Sequence, residues 1–125
     1  MNNPEIEFKR ATLALAADAE TQIGLFPPFV CFGDELVLDW DDALQRVRGG
    51  CGLFEAEATE AIANLDRVIT AFSGAHNASL FCDPEALRED PRWNEIRGLA
   101  VTVCHACGWE LVPPWPSGAT YVPSR

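Results

Sequence analysis

A chain of 125 residues, 48% apolar and 22% charged, suits one folded domain with its own core, which excludes wholesale disorder and any need for a metal or disulfide staple to fold. Nineteen acids face nine Lys and Arg, a formal net charge of −10. Such a field repels phosphate backbones and anionic lipid, so nucleic acid and membrane surfaces are excluded as partners and a basic protein is favoured.

Asn3-Pro4-Glu5 reads as an N-cap, a first-turn proline and an acid that suits the helix dipole. The helix is predicted to run to about Ile23 and stop at Gly24, with Phe8, Ala11, Thr12, Leu15, Ala19 and Ile23 on its buried face. Glu7, Arg10, Asp18 and Thr21 fall opposite, while Ile6 and Leu13 form a second, smaller apolar strip. Phe29-Val30-Cys31-Phe32 and Glu35-Leu36-Val37-Leu38 flank Gly33-Asp34, which predicts a small β-hairpin with a type II′ turn. An extended loop is the competing reading.

Asp39 is then expected to cap a short helix, with Asp41 and Asp42 in its first turn, Arg46 and Arg48 in its last, and Gly49-Gly50 as terminator. The cleanest periodicity runs from Leu53 to Ser73, where Phe54, Ala58, Ala61, Leu65, Val68, Ile69 and Phe72 make one stripe; this is expected to be the central helix, closed by Gly74. Asp83-Pro84 opens a short helix and Asp90-Pro91 a longer one ending near Cys107, with Gly108 as its stop. The tail, 109–125, holds Pro113, Pro114, Pro116 and Pro123 with Trp115 and Tyr121, a composition that forbids regular helix but should dock on the domain. The expected fold is therefore mainly α (an α-rich α+β class): residues 1–125 form a single domain of four to five helices around a central one, plus the hairpin.

The first residues show no basic stretch leading into an apolar run, and no apolar run approaches the roughly 20 residues of a membrane span. A cytoplasmic, reducing setting is expected, with Cys31, Cys51, Cys82, Cys104 and Cys107 as free, largely buried thiols.

Cys104-His105-Ala106-Cys107 has zinc-like spacing, with Cys51, Cys82 and His76 as further conceivable ligands. On a helix, however, the two thiols face the core while His105 points elsewhere, and a helix C-terminus raises a thiol pKa rather than lowering it. Structural cysteines are the preferred reading, and neither a metal nor a cofactor is expected. No histidine is placed beside an activated thiol, and Gly49-Gly50-Cys51-Gly52 lacks the lysine of a phosphate loop, so no catalytic set is expected.

The base-free stretch from Ala11 to Gln45 holds the densest acidity. Asp34, Glu35, Asp39, Asp41 and Asp42 surround Trp40, and the run reads either as a recognition surface anchored by Trp40 or as a solvated face with Trp40 turned inward. A carboxylate metal or acid–base site is disfavoured, because the run lacks the glycine and distal glutamate of a calcium loop. The expected function is an acidic protein-binding inhibitor that occupies the basic cleft of a toxin or enzyme. The alternatives are a zinc module built on the cysteines and a small enzyme or ligand-binding domain with a pocket holding His76 or His105. In size, acidity and lack of motifs the chain resembles the immunity proteins that bacteria encode beside polymorphic toxins, a likeness of profile that transfers no residue's role.

Overall fold

A computed structural model describes residues 3–49, 54–73 and 77–115. Seven helices occur among them: α1 (Pro4–Ala16), α2 (Ala19–Gly24), α3 (Phe32–Gly49), α4 (Ala56–Phe72), α5 (Ala78–Cys82), α6 (Pro84–Glu89) and α7 (Pro91–Ala106). The fold is mainly α, and the described residues contain no strand. None of these helices is long and apolar enough to cross a membrane.

Three helices start as their sequence predicts. The side chains of Asn3, Asp83 and Asp90 each accept the amide of the residue two positions on, at 2.9 Å, with proline at the first helical position. Helix α7 also stops as predicted. Gly108 takes φ +73°, and the amides of Trp109 and Gly108 return to the carbonyls of Cys104 and His105 at 2.8 and 3.1 Å. That closure satisfies two orphan carbonyls and sends Trp109 back to pack edge-on against Phe8, 5.9 Å between centroids.

The first helix is shorter than expected. It ends at Ala16 because Asp18 caps a new helix, accepting the Thr21 amide at 2.8 Å. Gln22, fully buried on α2, donates to the C-terminal end of α1 at the carbonyls of Ala14 (3.0 Å) and Leu15 (3.1 Å). Its own oxygen accepts Nε and Nη2 of Arg97 from α7, at 3.1 and 3.0 Å. One amide thus ties together three helices and leaves no polar atom of its own unmet.

The hairpin is replaced by the start of α3. Gly33 is not a turn residue: a Cβ there would lie 2.7 Å from the Phe81 carbonyl oxygen and 2.7 Å from Cζ2 of Trp93. The glycine is needed for close approach of α3 to α5 and α7, and Asp34 and Glu35 are first-turn acids. Asp39 consequently lies mid-helix and caps nothing.

Helix α1 packs on both α3 and α7, and α7 in turn packs on α4, so the long helices lie in the order α3, α1, α7, α4. The short helices α2, α5 and α6 form a contiguous group against α3 and α7. The expectation that Leu53–Ser73 would be central is corrected: α4 is an edge helix, and α1 and α7 form the middle. The burial patterns agree. Phe8, Arg10, Ala11, Thr12, Leu13, Ala14 and Leu15 are buried almost all round α1, whereas α4 buries one stripe of Ala58, Ala61, Ile62, Leu65 and Ile69. Arg10 therefore faces the core, not the solvent.

The cysteines also depart from expectation. Cys31 and Cys82 form a disulfide between the start of α3 and the end of α5, with Cα atoms 4.2 Å apart. Cys104 and Cys107 are free, and Cys51 and His76 lie outside the described residues, as do Gly50, Gly74 and the tail beyond Trp115.

Candidate functional site

All six residues of the acidic run sit on α3. At 100° per residue, Phe32, Leu36, Trp40, Ala43, Leu44 and Val47 gather on the face turned into the core, and all are buried. Trp40 is 0% exposed, so of the two placements open to it the structure takes the core. Its ring stacks at a tilt on Phe8, 5.7 Å between centroids, and its indole N–H donates to Thr12 at 3.0 Å. It takes no part in any surface.

The opposite face of α3 carries Asp34, Leu38, Asp41, Asp42 and Gln45, with Glu35 at its edge. Leu38 is 60% exposed at the centre of this acidic face. Sequence reasoning passed over it because the hairpin reading ended there. Once the helix begins at Phe32, residue 38 falls about 160° round from Trp40, opposite the core.

The acids differ in their surroundings. Asp42 pairs with Arg46 one turn on, at 2.8 Å, where both are exposed. Asp39 reaches back to α1, its carboxylate 3.5 Å from Nη2 of the buried Arg10, which also lies 3.8 Å from Glu7. Burial pushes the Asp39 carboxyl above its ordinary value, and Arg10 pulls it back only in part. Burial also raises Glu35, helped by the neighbouring charges of Asp39 and Asp34. Among the described residues Asp34, Glu35 and Asp41 form no ion pair. Elsewhere in the base-free stretch, Glu20 is neutralised by Arg88, 2.7 Å away. The uncompensated negative charge of this stretch is thus concentrated on α3.

The cysteine–histidine motif is split as its helical spacing predicts. Cys104 is fully buried, Cys107 is half-buried and His105 is exposed. Burial pushes the Cys104 thiol up to about 11 and raises Cys107 as well, so neither is a ready thiolate near neutral pH. His105 lines an open cleft of about 550 Å³ between the starts of α1 and α4 and the end of α7, together with Glu5, Lys9, Phe54, Glu55 and Cys107. The described part of the tail forms a second, smaller hollow, where Leu111, Val112 and Pro113 meet Leu13, Ala17 and Thr21.

The chain matches no protein-family model, and no curated protein and no solved structure is significantly similar to it.

Proposed function

We propose that this chain is an acidic protein-binding domain that inhibits a basic toxin or enzyme by covering the cleft in which that partner holds an anionic substrate. The reading rests on one observation: α3 presents Asp34, Glu35, Asp41 and Asp42 around the exposed Leu38, on the helix face opposite the core. An apolar centre ringed by like charge suits a partner patch of opposite sign, with the charges governing encounter and the leucine contributing buried area. The face also carries a folding cost, since burial and neighbouring acids both oppose ionisation of Glu35. Residues that cost stability where a neutral side chain would fit are candidates for a binding role.

A photo-crosslinking amino acid at Leu38, expressed in the native host, tests this. The expected result is one dominant adduct with a basic protein, lost when Asp41 and Asp42 are both changed to Lys and absent when the crosslinker replaces Glu60, which is exposed on α4. Equal labelling from both positions, or a dominant acidic protein, would remove the proposal.

A second reading, a small-ligand domain, is favoured by the cleft holding His105 and Lys9 beside Glu5 and Glu55. It requires a compound that raises the thermal midpoint of the wild type and not of His105→Ala.

A further inference from the structure

Among the described residues, Cys31, Asp34 and Cys82 are the one group of three metal-ligating side chains whose donor atoms all lie within 4.8 Å of one another. Cys31 precedes α3, its carbonyl accepting the Glu35 amide at 3.0 Å, and Cys82 closes α5. Asp34 Oδ2 stands 3.9 Å from Cys82 Sγ. Cys82 is exposed and Cys31 half-buried, so the corner is open to solvent.

The disulfide does not by itself create this juxtaposition. Gly33, between Cys31 and Asp34, rests against the backbone of Phe81, which precedes Cys82, and against the ring of Trp93. The indole of Trp93 donates to the Leu80 carbonyl at 2.8 Å, and the Phe81 and Trp93 rings meet edge to face at 5.8 Å. None of these contacts runs through the sulfur–sulfur bond, so the packing that sets Cys31 and Asp34 beside Cys82 does not depend on that bond alone. The acidic face of α3 beside this corner favours a cation.

We propose that Cys31, Cys82 and Asp34 form a redox-gated site for a thiophilic divalent ion of the zinc class, blocked by the disulfide and opened by a dithiol reductant. In the opening step the dithiol reduces the Cys31–Cys82 bond by thiol–disulfide exchange, becoming a disulfide itself and leaving two protein thiols. The ion then binds both sulfurs and one oxygen of Asp34, releasing the two thiol protons, and water fills the fourth position. With zinc–sulfur bonds of about 2.3 Å and zinc–oxygen bonds of about 2.1 Å, tetrahedral coordination asks for donor separations of roughly 3.6–3.8 Å. Asp34 Oδ2 already stands near this spacing from Cys82 Sγ, at 3.9 Å, and the two sulfurs are free to separate once their bond is opened. The site owes nothing to the partner-binding reading of α3 and stands or falls separately from it.

Zinc and cobalt(II) titrations of the full chain test the proposal. Phosphine-reduced protein is expected to bind one equivalent of zinc, and cobalt should give a thiolate-to-metal charge-transfer band; oxidised protein should do neither. Cys82→Ser should abolish the band, and Cys104→Ala should leave it intact. Asp34→Asn, at the surface and able to fold with both thiols present, should weaken zinc by at least about tenfold, the scale of losing one polar partner of a metal site. Failure of reduced wild type to bind zinc would overturn the site, and so would a band unchanged in Cys82→Ser or zinc affinity unchanged in Asp34→Asn.

Discussion

Trp40 and Thr12 are joined by a hydrogen bond buried between α3 and α1: the indole N–H donates to the threonine hydroxyl at 3.0 Å, and that hydroxyl donates on to the Phe8 carbonyl at 2.8 Å. The pair explains how a tryptophan amid five acids can be wholly internal. Its one polar atom is satisfied, and its ring buries on the order of 200 Å², worth about 5 kcal/mol at the usual area coefficient. Thr12→Val keeps the shape and strands the indole N–H, so it should cost about 1–3 kcal/mol in urea unfolding. Trp40→Phe in the Thr12→Val background should cost less than the sum of the two single changes, because no stranded donor remains. Equal additivity would show that the hydrogen bond carries no net energy.

How much of this was legible depends on the range over which each signal acts. Asp83, Asp90 and Gly108 act within their own turn, so their helix boundaries could be read directly. Gly33 could not be: a glycine before Asp reads as a turn until the backbone of Phe81, 48 residues on, is known to lie against it. That error displaced the start of α3, and with it the helical phase that separates Trp40 from Leu38. The central helix was misjudged for a related reason. A single clean stripe marks a helix covered on one side, as α4 is, while the blurred periodicity of Phe8–Leu15 marks one covered on two. The second strip at Leu13 was the available hint. The roles of Gln22 and Arg97, and the pairing of Cys31 with Cys82 across 51 residues, have no local signal at all.

Two glycines within helices should respond to alanine with opposite signs. At Gly98, on the exposed side of α7, a Cβ meets nothing within 4 Å, so Gly98→Ala should stabilise by about 0.5–1 kcal/mol through helix propensity. At Gly33 the same gain is set against backbone and ring atoms that cannot yield, an overpacking cost of about 1–3 kcal/mol. Gly33→Ala should therefore be destabilising on balance. It should also slow re-formation of the Cys31–Cys82 bond after reduction, measured by thiol trapping. A wild-type rate with lowered stability would mean that Gly33 packs the core without positioning the thiols.

Opening the disulfide should lower the unfolding free energy by about 2–4 kcal/mol, since it releases a loop of some 50 residues in the unfolded chain. The loss acts mainly on the unfolded state, so the far-ultraviolet circular dichroism of the reduced protein should match that of the oxidised form. A loss of helicity on reduction would place the bond among the supports of the folded structure.

Glu35 supplies a pH test in which stability and binding pull apart. Burial, then the charges of Asp39 and Asp34, raise its carboxyl above the ordinary 4.5, so its folded form resists ionisation. The stability tied to the protonated group is fully present below the unfolded value and is lost as pH rises through the higher folded value. Capping acids behave oppositely: Asp18, lowered chiefly by the Thr21 amide, contributes stability above its ordinary 3.8 that is lost on further acidification. Glu35→Gln removes a like-charge pair one helical turn from Asp39, worth about 0.2–0.5 kcal/mol, along with the burial penalty on a charge. The variant should exceed wild type in urea midpoint at neutral pH, with the difference closing below the ordinary carboxylate range. If α3 is the binding face, the same variant should associate more slowly with the crosslinked partner, most clearly at low salt. Greater stability with unchanged association would leave Glu35 a solvated cost without a function and move the binding face toward Asp41 and Asp42.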